Sequence, residues 1–417
     1  MRYSALSLFT QGLKSRPEWQ PAWRQPTPSS RYDVVIIGGG GHGLATAFYL
    51  AKNHGIKRIA VLEKGWLGGG NTGRNTTIIR SNYALRANAH FYEHSLRLWE
   101  RLSEELNFNV MFSQRGVINL VHSSNERENW VRRYNSMRLR GIDAEVLSTE
   151  ALRERIPGLD LAGDGRYPVV GAVVQPRGGT ARHDAVAWGY ARAADAEGVD
   201  IIQNCEVLGI SIEGGKVRGV ETSLGYIETG RLGCCVAGHS SRVAAMAGLR
   251  LPVETHLLQA AVTEPVEPMI DQVVSTGAWR VYVSQTDKGE ILMGGRLDGY
   301  NSYSQRGSLP ALEEVLGGAV ALFPKLAGAR LMRSWAGAVD MSMDGSPIIS
   351  KTPVSGFYFN GGWCYGGFKA TPASGYCFAH MIANDEPHPL NVEHSLDRFR
   401  TGRLLNERGA GPQPNAH

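Results

Sequence analysis

The stretch that decides the fold runs from Tyr32 to Gly65, YDVVIIGGGGHGLATAFYLAKNHGIKRIAVLEKG. Val34 to Ile37 are consecutive apolar, β-branched residues, the pattern of a strand buried on both faces of a parallel sheet. Gly38, Gly40 and Gly43 follow in G-x-G-x-x-G spacing, with Gly41 inside the turn. A helical stretch with Leu44, Phe48 and Leu50 apolar comes next, and IAVLE supplies another strand. Strand, turn, helix and strand make a β-α-β unit. The first glycine permits the tight turn, the second lets a pyrophosphate approach the backbone, and the third packs helix on strand. The helix N-terminus then offers unpaired N–H groups and partial positive charge to the phosphates. Glu63, twenty residues after Gly43, ends the second strand, where a carboxylate accepts hydrogen bonds from ribose hydroxyls. The unit predicts dinucleotide binding.

Two further loops bear on which dinucleotide. A simple NAD domain continues with regular β-α units, but here GWLGGGNTGRNTTIIRSNY, Gly65–Tyr83, follows at once. Its small and hydrogen-bonding residues suit a loop threaded along an extended FAD towards the flavin. The late block GGWCYGGFK, Gly361–Lys369, suits closure over the other side of the ring. Together the loops favour FAD over NAD.

The rest of the chain is consistent with two units. A length of 417 residues exceeds one hydrophobic core, so two interwoven or sequential domains are expected. Helices are predicted near Asn88–Leu106, Asp184–Glu197 and Ala370–Asn384, and strands at VINLVHS and AEVLS. Several strands follow Val199, and Pro252 to about Leu331 reads as mostly β. A formal charge of +5 without a run of five Lys/Arg gives nucleic-acid binding little support. Five cysteines without a CxxC pair suit a reducing compartment, and a cytoplasmic location is expected. No span of about 18 apolar residues predicts a membrane helix. The first thirty residues lack a secretory apolar core; being Arg-bearing and acid-poor, they leave a transit peptide open. They read as an arm whose Trp and Pro residues rest on a partner surface. The tail after Arg403 is polar, with Gly and Pro, and reads as frayed or docked elsewhere.

The strings quoted above, together with FSQRGVINL, VDIIQNCEV, VAGHSS, MDGSPIISKTP, GGFKATP and IANDEPHPLN, resemble the D-amino-acid oxidase/glycine oxidase superfamily of FAD-dependent amine oxidoreductases. Within it they resemble the family of β subunits of heterotetrameric sarcosine oxidases. The similarity runs from about Tyr32 to Asn406 and does not cover the arm. It implies an α/β and α+β chain: a discontinuous Rossmann-like FAD-binding domain (31–90, 170–250 and 335–385) and a substrate domain on a large mixed or antiparallel sheet (91–169 and 251–334). An arm (1–30) and a tail (386–417) complete the division. It further implies non-covalent FAD on which sarcosine is oxidatively demethylated to glycine. Electrons then pass to an FMN held covalently by His183, in ARHDAV, and on to O₂, giving hydrogen peroxide. Partners are α, γ and δ subunits, with tetrahydrofolate on the α subunit taking the one-carbon unit. Two other readings stay open: a self-sufficient N-methyl or imino amino-acid oxidase or dehydrogenase, and a flavin-binding scaffold without catalysis.

The implied FAD contacts are Gly38, Gly40, Gly41, Gly43, Leu44, Glu63, Lys64, Asn71, Thr72, Arg74, Thr76, Thr77, Ile79, Val207, Gly366, Gly367 and Lys369. A neutral imidazole is a good nucleophile, although the residues around His183 also fit an ordinary histidine before a helix capped by Asp184. A zwitterionic amino acid needs a fixed cation for its carboxylate, and arginine pairs with one bidentately. Arg80 holds the position of the family's carboxylate-binding arginine, Lys369 that of its assisting lysine, and Tyr83 lines the same pocket. Taken alone, Arg80 also fits a solvated charge and Lys369 a lysine held by flavin oxygens. No general base emerges, and Asp340 and Asp344 read as structural turn residues. Monomeric relatives attach FAD to a cysteine in the region of VDMSMDG, which has none here; Cys364 reads as a small buried residue. No metal-ligand spacing is present, so no metal is expected.

Overall fold

The structure, a computed structural model, describes residues 4–13, 21–163 and 165–407. Val34–Ile37 is fully buried inside a six-stranded sheet of order Ile348–Lys351, Phe357–Gly361, Leu232–Cys234, Val34–Ile37, Ile59–Leu62, Asp200–Ile202. All its pairings are parallel except the outer one between Ile348–Lys351 and Phe357–Gly361. The fingerprint helix Gly41–His54 ends in Gly55, whose φ of 65° caps the helix in the left-handed conformation that glycine adopts without strain. It packs on two others, His183–Ala196 and Gly367–Asn384. The latter crosses so closely that a Cβ on Gly375 would lie 2.4 Å from that of Ala45. Leu44, Phe48 and Leu50 fill the core beneath, each contributing about 1.5–3 kcal/mol on burial.

A second sheet has eight strands in the order Leu331–Ser342, Val253–Pro265, Glu290–Asn301, Val281–Gln285, Val273–Thr276, Val117–Val121, Gly171–Gln175, Glu145–Leu147. It is antiparallel except where Val273–Thr276 meets Val117–Val121. Alternation divides its faces: Val283 and Met293 pack against the helix Leu309–Leu322, while Tyr282 and Leu258 line a cavity. An α/β nucleotide unit beside a large mixed sheet is the fold class expected from sequence.

Gly171–Gln175 and Leu331–Ser342 are strands of the eight-stranded sheet. Several expectations need correction. The helices Ser124–Leu139 and Leu309–Leu322 were not anticipated. The first is polar nearly all round, with only Met137 buried, and the second interrupts a segment read as β. The helix expected to open at Asp184 begins with His183, and extended Arg182 precedes it. Asp184 therefore sits in the first turn, paired with Arg182 at 2.9 Å, and is not the cap. The last long helix starts at Gly367, so Lys369 belongs to its first turn.

Of the arm, Trp23 packs against the core, and Arg24 bonds Asp195 (2.8 Å) and the Val199 carbonyl (3.0 Å). That part rests on its own chain; Trp19 lies outside the described residues. The tail also docks, as far as it is described, through Leu405 and Glu407. No described helix is long and apolar enough to cross a membrane.

Candidate active site

A cavity of about 1190 Å³ lies between the two sheets. At one end stands the fingerprint. Gly38 has φ +109°, and a Cβ there would lie 2.3 Å from the Cys235 carbonyl oxygen; one on Gly43 would lie 2.0 Å from the Gly38 carbonyl. Neither position admits a side chain. Gly40 and Gly41 form cavity wall at the helix N-terminus, the end of a helix that favours an anion. The Glu63 carboxylate accepts from the N–H groups of Gly39 and Gly65, both at 2.9 Å. It also lines the cavity, and a carboxylate has lone pairs left for ribose hydroxyls. The donor set and the side-chain-free turn fit the pyrophosphate and ribose of a dinucleotide.

The loop after the second strand forms the next stretch of wall. Thr72 accepts from the Gly41 N–H at 3.0 Å, tying loop to helix. Asn71 donates to the Ala338 carbonyl (2.6 Å), and Trp335 donates to the Arg74 carbonyl (2.8 Å), fastening the loop to the eight-stranded sheet. Arg74 turns back onto the carbonyls of Gly69 and Gly70. Thr76 donates to the Tyr282 hydroxyl at 2.9 Å.

At the far end is a cationic corner. Arg80 follows the short strand Ile78–Ile79, and its neighbour Ser81 is clamped by Gln175 (2.8 Å to its N–H) and by Glu93 (2.8 Å to its hydroxyl). The guanidinium donates to Asn82 and lies 5.0 Å from the Tyr83 ring centroid, making no ion pair among the described residues. Tyr83 in turn stacks on Tyr92 at 3.9 Å. Lys369 is buried, its ammonium nitrogen 2.6 Å from the Tyr365 carbonyl. Burial, with help from Arg80, holds its pKa well below the usual lysine value. Its own carbonyl accepts from Ser95 (2.7 Å) and Trp99 (2.9 Å), which fixes the first turn of the last long helix.

Of the residues singled out from sequence, Gly38, Gly40, Gly41, Glu63, Lys64, Asn71, Thr72, Arg74, Thr76, Arg80, Tyr83, Val207, Gly366, Gly367 and Lys369 meet in this cavity. Gly43, Leu44, Thr77 and Ile79 stand behind its wall: Leu44 is core, Thr77 carries a φ of 64°, and Ile79 pairs with Gly179. His183 is also off the cavity. It opens the helix His183–Ala196, two residues after Ala181, whose N–H donates to the Thr77 carbonyl (3.3 Å). Its Nδ1 is buried without a partner among the described residues, and burial lowers its pKa.

Many wall residues were not assigned to the site from sequence, and four of them bear on its chemistry. His42, inside the fingerprint, stacks on Trp363 at 4.5 Å and bonds Ser374 at 2.7 Å; burial brings its pKa down to about 3. Asp340 is a strand residue, not a turn residue, and accepts from the Gly362 N–H at 2.6 Å. Desolvation pushes its carboxyl up to about 6. Arg133 and Glu407 face the cationic corner. No local motif marks any of them. Asp344, by contrast, is an anchor, ion-paired with buried Arg398 at 2.7 Å. Cys364 is buried, its thiol raised to about 12.

Comparison with known proteins agrees with this geometry. Residues 33–381 match the DAO family, FAD dependent oxidoreductase. The chain is 58% identical over 417 residues to sarcosine oxidase subunit beta of Rhizobium meliloti (strain 1021), covering 100% of both. It is 53% identical to the subunit of the same name from Arthrobacter sp, covering 95% of this chain and 98% of that one. Among solved structures, L-proline dehydrogenase from P. horikoshii superposes with a TM-score of 0.84 at 28% identity, covering 90% of this chain and 100% of that one.

Proposed function

The chain belongs to the FAD-dependent oxidoreductases, among the sarcosine oxidase β subunits, and from that premise we propose that it oxidises sarcosine to glycine at the cationic corner. The observation that carries this reading is a single cavity joining a dinucleotide cradle to an arginine that makes no ion pair among the described residues. As a flavin amine oxidoreductase it needs no acid or base of its own beyond positioning. Arg80 pairs with the substrate carboxylate, and the stacked Tyr83–Tyr92 wall excludes water from one side. Burial lowers the Lys369 pKa while the site is empty, and a bound carboxylate favours its protonated form. The low-polarity surroundings favour the neutral amine over the ammonium.

FAD is held without a covalent bond, by the fingerprint backbone, Glu63 and the Asn71–Thr76 loop. A second flavin, FMN, is attached at His183. In support, the His183 Nδ1 is buried without a partner among the described residues, and the chain just before it bonds to Thr77, next to the cavity-lining Thr76. When bound, the two flavins would supply the redox chemistry, the two electrons of the amine oxidation passing to O₂ as hydrogen peroxide. The one-carbon unit passes to tetrahydrofolate on an α subunit, with γ and δ subunits completing a cytoplasmic assembly.

Anaerobic sarcosine added to the assembled complex should bleach the FAD absorbance; an unchanged spectrum would overturn the amine-oxidation reading. Separately, the tryptic peptide spanning His183 should carry an FMN-sized mass. An unmodified peptide from the assembled complex would remove the second flavin and leave the first reading intact.

A further inference from the structure

The corner around Arg80 contains a second guanidinium for which the reaction above has no use. Arg133 comes from the unanticipated helix Ser124–Leu139 and lines the cavity. It lies over the Trp130 ring at 5.2 Å, and its Nε is buried with no hydrogen-bond partner among the described residues. Its Nη2 donates to Glu407 at 2.6 Å. Glu407 is itself 1% exposed and lines the same cavity. Its carboxylate also accepts from the N–H groups of Ala84 (2.5 Å) and Leu85 (3.1 Å) and from Asn88 (3.3 Å). Ala84 follows Tyr83, whose ring carries Arg80. The two arginines therefore flank one seam, but only one of them is neutralised: Arg80 is matched by the neutral amide of Asn82, Arg133 by a full negative charge.

We propose that Glu407 and Arg133 form a specificity pair, in which Glu407 cancels Arg133 so that this corner accepts a substrate with one carboxylate. Removing the Glu407 charge exposes Arg133 as a site for a second carboxylate, opening the chamber to N-substituted dicarboxylic amino acids. The inference rests on the reading that Arg80 holds the substrate carboxylate. Its logic is electrostatic. A buried cation left unpaired recruits an anion, and a chamber that repels or attracts a second carboxylate discriminates by several-fold at least. The clasp across Ala84 and Leu85 uses both carboxylate oxygens, Oε1 for Ala84 and Oε2 for Leu85, so flavin content is read alongside specificity in any Glu407 variant. The formal charge on Glu407 matters for Arg133, which faces the chamber.

The test compares sarcosine with iminodiacetate, in which a carboxymethyl group replaces the methyl, on the assembled holoenzyme carrying Glu407→Gln. The ratio of kcat/KM for iminodiacetate to that for sarcosine should rise by about tenfold or more, with FAD content retained. Adding Arg133→Gln to that variant should return the ratio towards the wild-type value. A variant with normal FAD content and an unchanged ratio overturns the proposal, as does a raised ratio that persists in the double variant. Should Glu407→Gln fail to hold FAD, Arg133→Gln alone decides. It leaves Glu407 unpaired beside the substrate carboxylate, so KM for sarcosine should rise by about tenfold, more than kcat falls; an unchanged KM overturns the pair. Failure of the underlying reading shows elsewhere, as wild-type enzyme that does not turn over sarcosine or as Arg80→Ala with unaltered kinetics.

Discussion

The two ends of the cavity are built on opposite plans. The nucleotide end is made largely of backbone, from residues close together in the chain: Gly38 to Gly43, Glu63, and the loop Asn71–Thr76. The cationic corner is made of side chains drawn from remote segments, Arg80, Arg133, Lys369 and Glu407, held in place by helix packing and by the docked tail. A backbone site tolerates no added atoms but makes modest demands on side-chain chemistry. A side-chain site tolerates changes of shape better than changes of charge. Variants at each end should therefore fail in different ways.

The sharpest way to break the contrast is Gly43→Ala. Its Cβ would lie 2.0 Å from the Gly38 carbonyl oxygen, and both atoms are backbone-fixed, so the turn must open. The expected outcome is loss of FAD, and of most folded protein, read as the flavin-to-protein absorbance ratio of the purified complex. Full flavin content in this variant would show that the cradle is not set by backbone fit. Arg80→Ala, at the other end, should keep its flavin and lose turnover: kcat/KM for sarcosine should fall by roughly 10- to 150-fold, the equivalent of a lost charged hydrogen bond. If Arg80→Ala instead lost its flavin, the two ends would not be separable and the comparison would fail.

The same contrast explains what could be read from the sequence. The fingerprint announced itself because local spacing is local structure: strand, turn and helix follow one another, and Val34–Ile37 is a strand at the predicted residues. Arg80 and Lys369 came from resemblance, since neither spacing nor periodicity marks a lone cation as cavity-facing. Arg133 was invisible in a helix whose sequence, SNERENWVRRYNSMRL, shows no apolar face. The proposed role depends on Glu407, which is 274 positions away in a polar tail read as frayed or docked elsewhere. Helix Leu309–Leu322 was missed because it is flanked by strands and covers a sheet whose pairing partners lie far off in sequence. Strands Gly171–Gln175 and Leu331–Ser342 are likewise assigned to their sheet by long-range pairing, which composition does not encode.

The smallest effect concerns Asp340, which accepts from the Gly362 N–H at 2.6 Å beside the late Gly-rich loop and lines the cavity. Desolvation raises its carboxyl from 3.8 to about 6, outweighing the backbone hydrogen bonds that lower it. Between those two values the folded chain holds a proton that the unfolded chain has released. Stability from this group is therefore greatest below the lower value and declines as pH rises through the higher one. At 1.36 kcal/mol per unit the full decline is roughly 3 kcal/mol. Asp340→Asn keeps an acceptor for Gly362 and removes the ionisation. Its urea midpoint should match wild type near pH 3.8 and exceed it increasingly towards pH 7. Taking the difference between the two proteins cancels buried His42 and His394, whose pKa values are both lowered to about 3 and whose burden grows as pH falls below 6.5. A variant that stays parallel to wild type across the window would mean that the Asp340 carboxylate is stabilised where it stands, and that this stretch of wall is governed by backbone donors, as the nucleotide end is.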